Sequence, residues 1–341
     1  MKKRIKYERE RRSPKKAIIV IAIILVLLAA AAVTAGVYVN SKLDLIDYET
    51  YENGWECVSY TEPESETDEF EVDKTAEVVI PKEEIYKDKD VFNILLLGTD
   101  ERRDKFSNGS RADSIMVLSI NKKTDTIKLV SIERGILVRM PDGNKDILTH
   151  VFHYGGPNWM METVRTHFNL DVDRYIRVNF NVFEKIVDSV GGVDIELTKK
   201  ETRAMNHEIP TNTFPLDRKV KVGMNHLNGF EALQYCRLRW TDSDWVRIKR
   251  QRRTIKAIQS QCKNLSLGEI DDALDTVLPM IQTNLEKDEL LALAGSVSKF
   301  LDGEIVDMTI PADGTSEGTN HVDYEANRKI LHEFFYGEVE G

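Results

Sequence analysis

Cysteine is scarce in this 341-residue chain: Cys57, Cys236 and Cys262 are odd in number, scattered, and show no Cys-x-x-Cys spacing. That argues against a disulfide framework and against a cysteine-ligated zinc site, and no single disulfide is expected. His150 and His153 lack a companion carboxylate at zinc-ligand spacing, so they read as ordinary loop or surface residues. The Gly-Gly pairs beginning at 155 and 191 follow no strand with a phosphate-loop pattern, which makes them turn residues and not a phosphate cradle. No internal repeat or low-complexity array appears outside one acidic stretch.

Charge is missing altogether between Ala17 and Val39, where the chain is dominated by Ala, Ile, Val and Leu. At about 1.5 Å per helical residue such a run crosses a hydrocarbon core of about 30 Å, so one transmembrane helix is expected at 17–39. Before it stand nine cations (Lys2, Lys3, Arg4, Lys6, Arg9, Arg11, Arg12, Lys15 and Lys16) against Glu8 and Glu10. The positive-inside rule then keeps residues 1–16 in the cytoplasm and puts the rest of the chain outside the cell membrane. A cleaved signal peptide is the alternative, but its apolar core spans only about 7 to 15 residues.

What is present changes abruptly after the apolar run. Residues 40–90 carry 17 acidic side chains against five lysines, which accounts for more than the whole formal net charge of −10. Such a segment repels itself and buries little, so it reads as an extracytoplasmic spacer, with an edge strand possible at Phe70–Ile80. From Val91 to Gly341 the pattern is that of one mixed α/β domain, large enough for a substantial core. Val91–Leu97 reads as a central strand, Ser114–Ile120 and Thr126–Ile132 as a hairpin, and Arg174–Phe180 and Val193–Leu197 as strands flanking a helix at Val182–Val190. Gly191 and Gly192 end that helix, because glycine takes the left-handed conformation at no steric cost. Helices are expected at Asn228–Cys236, Trp245–Lys263, Glu269–Gln282 and Lys287–Leu301, then a strand at Glu304–Ile310 and a helix near Tyr324–Phe335.

A basic island stands out in this acidic protein. Arg237, Arg239, Arg247, Lys249, Arg250, Arg252, Arg253 and Lys256 share twenty residues with only Asp242 and Asp244. Arg247 and Gln251, four apart, lie on one helical face, and Arg247 sits in a first turn where the helix dipole disfavours a cation. An anion compensates such an arrangement, and the planar guanidinium fork suits phosphate oxygens. Lys249, Arg252, Arg253 and Lys256 read instead as a solvated face. Outside a membrane, nucleic acid is not the expected partner; pyrophosphate-linked lipids and wall polymers are. A second constellation lies at the end of the first strand, where Asp100 and Asp113 with Arg111 either hold a divalent cation or merely cap loops.

The order of the motifs resembles one family. Asn-Ile-Leu-Leu-Leu-Gly-Thr-Asp (93–100), Arg-Ala-Asp-Ser-Ile-Met (111–116), Ser-Ile-Glu-Arg (131–134), Tyr-Gly-Gly-Pro (154–157), Val-Asp-Ser-Val-Gly-Gly-Val-Asp (187–194), Leu-Asn-Gly-Phe-Glu-Ala-Leu-Gln-Tyr-Cys-Arg-Leu-Arg (227–239) and Asp-Trp-Val-Arg-Ile-Lys-Arg-Gln (244–251) look like the LytR-CpsA-Psr family over about 91–258. The resemblance implies a three-layer α/β/α domain with a mixed central sheet. It also implies transfer of a phosphoglycosyl polymer, of teichoic acid or capsule type, from a polyprenyl pyrophosphate carrier to peptidoglycan. By the same resemblance Asp100 and Asp113 would hold Mg2+; Arg111, Arg134, Arg237, Arg239, Arg247 and Gln251 would contact the pyrophosphate. Arg111, Arg134 and Asp244 would serve catalysis, Asp244 acting on the incoming hydroxyl. The chain departs from the pattern at Glu133 and Gly135, where the family has a proline and an acidic residue, and at Ile147, where it has a lysine that only Lys145 is near enough to replace. A lipid pyrophosphate hydrolase and a non-catalytic envelope-binding or regulatory protein are the competing readings.

Overall fold

The computed structural model describes residues 38–48, 73–101, 106, 109–239, 243–294, 302–318 and 321–337. The apolar run at 17–39 lies, but for its last two residues, outside that set, as does Cys57. Among the described residues no helix is long and apolar enough to cross a membrane. The compact unit that starts at Ile46 contains every element below.

In chain order the strands are β1 (Asp47–Tyr48), β2 (Val91–Thr99), β3 (Ala112–Asn121), β4 (Thr126–Ile132), β5 (Leu137–Arg139), β6 (Lys145–Ile147), β7 (Val172–Asn179), β8 (Val193–Leu197), β9 (Gly223–Leu227), β10 (Gln282–Thr283), β11 (Ile305–Ile310), β12 (Ser316–Glu317) and β13 (His321–Val322). The helices are α1 (Leu148–Phe168), α2 (Phe180–Ser189), α3 (Lys199–Met205), α4 (Gly229–Arg237), α5 (Asp244–Cys262), α6 (Leu267–Val277), α7 (Lys287–Ala294) and α8 (Tyr324–Tyr336). Seven strands form the central sheet in the order β1-β10-β7-β2-β3-β4-β11. It is mixed: β2 pairs antiparallel with β3 but parallel with β7, and β4 pairs antiparallel with β3 but parallel with β11.

Side chains alternate across a strand, so each central strand serves two layers. Leu95, Leu97, Ile115, Val117 and Val130 point to one face, where Phe152, Val164 and Phe168 of α1 and Leu331 and Phe335 of α8 close over them. Leu96, Met116 and Leu118 point to the other, where Ile255 of α5 meets them. A separate core joins α2, β8, α4 and α5 through Val187, Val193, Ala232 and Tyr235.

Several local expectations need correction. The acidic stretch is not all spacer: Ala76 and Val78 belong to the core, Lys74 pairs with Asp146 at 3.2 Å, and β1 joins the sheet edge. The described part of the expected edge strand, 73–80, is not a strand, because its backbone bonds go to turns and to Lys145 rather than to a ladder. Residues 148–168, unassigned from sequence, form α1, whose weak apolar periodicity hides it because both its sides are buried. Gly156 (φ 56°) kinks this helix before Pro157. His150 is accordingly a buried helix residue bonded to Asp146 at 3.0 Å, and not a loop or surface residue. Gly191 and Gly192 do take left-handed φ values, 82° and 94°. The helix expected at 269–282 stops at Val277, and Gln282 and Thr283 pair with β7. Cys236 and Cys262 are free thiols.

Candidate functional site

The parallel strands β2 and β7 end side by side, Gly98 opposite Val178 and Thr99 opposite Asn179. Asn179 caps α2, its Oδ1 accepting from the Val182 N–H at 3.0 Å. Asp100 and Arg111 brace one another: the Arg111 N–H donates to Asp100 Oδ1 at 2.9 Å, and the Asp100 N–H donates to the Arg111 carbonyl at 3.2 Å. Burial, with Asp113 and Glu101 nearby, pushes the Asp100 carboxyl above its ordinary range. A carboxylate whose ionised form is disfavoured by burial and by a neighbouring carboxylate at a strand end suits a divalent cation with open positions for phosphate oxygens, because the cation offsets that cost. Among the described residues no cluster of three or more metal-ligating side chains exists.

Above these carboxylates stands a lattice of arginines. Arg134, in the turn after β4, donates to Asp113 Oδ1 at 2.5 Å and reaches Asp244 Oδ1 at 3.5 Å. Arg247 pairs with Asp244 Oδ1 at 2.8 Å and donates to the Asp113 carbonyl at 3.2 Å. It is buried, its Nε has no hydrogen-bond partner among the described residues, and burial with Arg134 close by lowers its pKa. A desolvated cation with a donor to spare is set up for an anion. Arg239 is lowered to about 10 by burial and by Arg247. Arg237, the last residue of α4, lies 4.7 Å from the Phe180 ring and 5.9 Å from the Phe214 ring. Gln251, one turn beyond Arg247, accepts from the Ser114 hydroxyl at 3.3 Å.

Behind the arginines lies an apolar cavity of about 270 Å³ between the sheet and helices α2, α4 and α5. Leu96, Met116, Ile176, Phe183, Leu233 and Ile255 line it, while Asp113, Arg237, Arg247 and Gln251 stand at its polar end. A second cavity of about 450 Å³ continues along the same sheet face past Ile94, Leu118 and Ile120, with Ile176 common to both.

The nine residues singled out from sequence thus converge on one end of the sheet. The solvated-face assignment holds for Lys249 and Arg253, which are exposed, but not throughout. Arg252 is buried against Asp307 at 2.8 Å, because β11 packs under α5, and the half-buried Lys256 pairs with the same carboxylate; Arg250, which that assignment did not include, is buried against Glu201 at 2.9 Å. Sequence reasoning passed over Glu133 as a site residue. Burial first, then Asp244, pushes its carboxyl up to about 7, against the pull of Arg247 and a hydrogen bond from Trp245. The departure of position 133 from the family pattern was the one available signal.

The model of the LytR_cpsA_psr family matches residues 55–337. The polyisoprenyl-teichoic acid--peptidoglycan teichoic acid transferase TagU of Oceanobacillus iheyensis is 35% identical over 219 residues, 62% of this chain and 64% of that protein, so the match spans under two thirds of its length. TagT of Bacillus subtilis, named for the same activity, is 32% identical over 65% of this chain and 68% of its own. Among solved structures, TagT bound to LI-WTA superposes with a TM-score of 0.57 at 26% identity, covering 72% of this chain and 91% of that one.

Proposed function

This chain belongs to the LytR-CpsA-Psr family, and from that premise we propose that it is a cell-envelope phosphotransferase. It moves a phosphoglycosyl polymer of teichoic acid or capsule type from a polyprenyl pyrophosphate carrier to peptidoglycan; the names of its relatives state, for them, teichoic acid transfer between polyisoprenyl-teichoic acid and peptidoglycan. The observation that carries the reading is the junction of an apolar cavity with a buried arginine cluster. That junction fits an amphiphile with one long apolar tail and one phosphate head. The prenyl chain enters the cavity, and Arg111, Arg134, Arg237, Arg239, Arg247 and Gln251 hold the pyrophosphate at its mouth. Phosphoryl transfer is mostly positioning and neutralisation of charge, which guanidiniums supply.

Asp100 and Asp113 would hold Mg2+, whose chemistry there is to neutralise charge on the phosphate oxygens. The charge asymmetry around 17–39 supports a single-pass protein of the cell membrane, with its amino terminus in the cytoplasm and its α/β domain outside. The test incubates the full chain in detergent with Mg2+, a synthetic polyprenyl pyrophosphate disaccharide and peptidoglycan fragments, followed by mass spectrometry. The expected product is a peptidoglycan fragment bearing a phosphodiester-linked disaccharide, with prenyl phosphate released. Free disaccharide phosphate alone makes the protein a hydrolase, and intact lipid makes it a binding protein.

A further inference from the structure

The filled face of the sheet ends in a charge. Arg177 of β7 lies opposite Leu97 of β2 and is only 1% exposed, the bulkiest fully buried side chain among the described residues. Its guanidinium lies 4.5 Å from the centre of the Phe106 ring and 4.8 Å from that of Phe152 of α1. Nε donates to the Thr99 hydroxyl at 3.4 Å and Nη1 to Gln282 Oε1 at 2.9 Å, while Nη2 serves both the Glu101 carboxylate and the Ser110 hydroxyl, the latter at 3.0 Å. An apolar side chain of this size would fill the layer without the cost of desolvating a charge. What the guanidinium adds is a planar fork that holds several acceptors at fixed spacing.

That spacing bears on the site above it. Glu101 follows Asp100 and Ser110 precedes Arg111, so one nitrogen ties the chain leaving β2 to the chain entering β3. On the sheet side of the tie stand Asp100 and Arg111, which brace one another through two hydrogen bonds, and Asp113 follows on the entering strand. The same segment is held from α1: His153 Nδ1 meets the Gly109 carbonyl at 2.6 Å, and the Thr149 hydroxyl donates to the Ala112 carbonyl at 2.8 Å. From α2 the Phe180 N–H donates to the Glu101 carbonyl at 3.3 Å. Arg177, Glu101 and Ser110 stand outside the wall of the apolar cavity, so whatever they do for the reaction runs through the residues they hold.

We propose that Arg177 is a positioning residue of the site: by clamping Glu101 to Ser110 it fixes the placement of Asp100 relative to Asp113, and with it the affinity of that pair for Mg2+. The proposal rests on the Mg2+ assignment made with the phosphotransferase function above. Arg177 itself touches neither metal nor phosphate in this scheme. Groups that orient metal ligands from behind typically change metal affinity by about 10- to 100-fold when replaced.

The test measures Mg2+ affinity of the full chain in detergent by calorimetry, without lipid, beside the transfer assay. Arg177→Lys keeps a charge for Glu101 but loses the fork, and it should weaken Mg2+ binding at least about tenfold. Ser110→Ala removes one arm of the clamp and keeps the ion pair, and it should weaken binding roughly threefold. The double variant should bind Mg2+ no more weakly than Arg177→Lys alone, because the lysine has already released that arm. Leu95→Ala, which loses core packing four residues earlier in β2, should leave Mg2+ affinity within about twofold although it destabilises the fold. The proposal is overturned if Arg177→Lys binds Mg2+ as the wild type does, if Leu95→Ala loses as much affinity, or if the Arg177 and Ser110 losses simply add. A wild-type chain that binds no Mg2+ overturns the clamp together with the metal assignment. A chain that shows the expected pattern of Mg2+ affinities but forms no transfer product overturns the phosphotransferase reading and leaves the clamp standing.

Discussion

The two faces of the central sheet are built by the same strands from the same kinds of residue, yet one is filled and the other is open. Leu95 is fully buried, with Phe152, Val164 and Phe335 closing its side of the sheet. Leu96, its neighbour, is half-buried and lines the cavity. The difference lies in what the helices bring. On the filled side α1 and α8 contribute large aromatic and branched side chains that interdigitate with the strands. On the open side α2, α4 and α5 turn much of their apolar surface to a core of their own with β8, and α5 meets the sheet through Ile255. The lesson is that the site is a packing defect kept open by helices committed elsewhere.

Adjacent substitutions offer the sharpest way to break that comparison. Leu95→Ala should destabilise the domain by roughly 2–5 kcal/mol, the cost of a cavity in a filled core. Leu96→Ala should cost less than about half as much, because its side chain already faces space. Urea unfolding of both variants checks the ratio, and equal costs would mean that the cavity collapses in solution.

His167 belongs to the filled side and tests it by pH. Its Nδ1–H donates to the Thr163 carbonyl at 2.8 Å, and its Nε2 accepts from the Arg139 N–H at 3.0 Å. The ring is therefore held neutral, and burial lowers its pKa to about 4. The unfolded chain binds the proton first as pH falls, so this stabilisation is complete above about 6.5 and lost between about 6.5 and 4. Its size is on the order of 3 kcal/mol. Urea unfolding across that window should show the loss in the wild type and a flatter profile in His167→Gln.

On the open side the charged mouth matters more than the overall field. Arg247→Ala should weaken binding of a polyprenyl pyrophosphate analogue at least about thirtyfold, since a desolvated charge pair costs roughly 2–5 kcal/mol to break. Arg247→Lys should restore only part, because the charge returns without the fork. The exposed Arg253 pairs with Glu201 at 3.6 Å, and Arg253→Ala should change binding by a few fold at most. Titration at two salt concentrations separates the cases; equal and fully salt-sensitive losses would mean diffuse attraction and no built site.

The smallest expected effect is also the most local. Leu96→Trp puts an indole into the cavity with little change in unfolding free energy, and it should reduce affinity for a long prenyl pyrophosphate more than for inorganic pyrophosphate. Equal affinities for the two would remove the cavity from the function.

Much of this arrangement was legible from local pattern. The strand at Val91 was readable because the run to Gly98 is apolar at every position but Asn93, and Asp100 just beyond it marks a strand's carboxyl end. Asn228 with Glu231 caps α4 by contacts within four residues, so its start was visible too. By contrast α1 was hidden, since a helix buried on most sides shows no clear polar stripe. Arg252 read as solvated for the opposite reason: its partner, Asp307, is 55 positions away on β11.

The sequence by itself determined the family-specific order of motifs, the alternation within each strand, the helix caps and the identity of the arginines. These depend on residues within a few positions of one another, or on chemistry that a side chain carries wherever it goes. Tertiary structure alone decided which face of the sheet stays open, that Asp244 is held by two guanidiniums, and that the Glu133 carboxyl is brought near neutrality. Cavity volume and desolvation depend on the distance between elements far apart in the chain, and no local pattern encodes that distance.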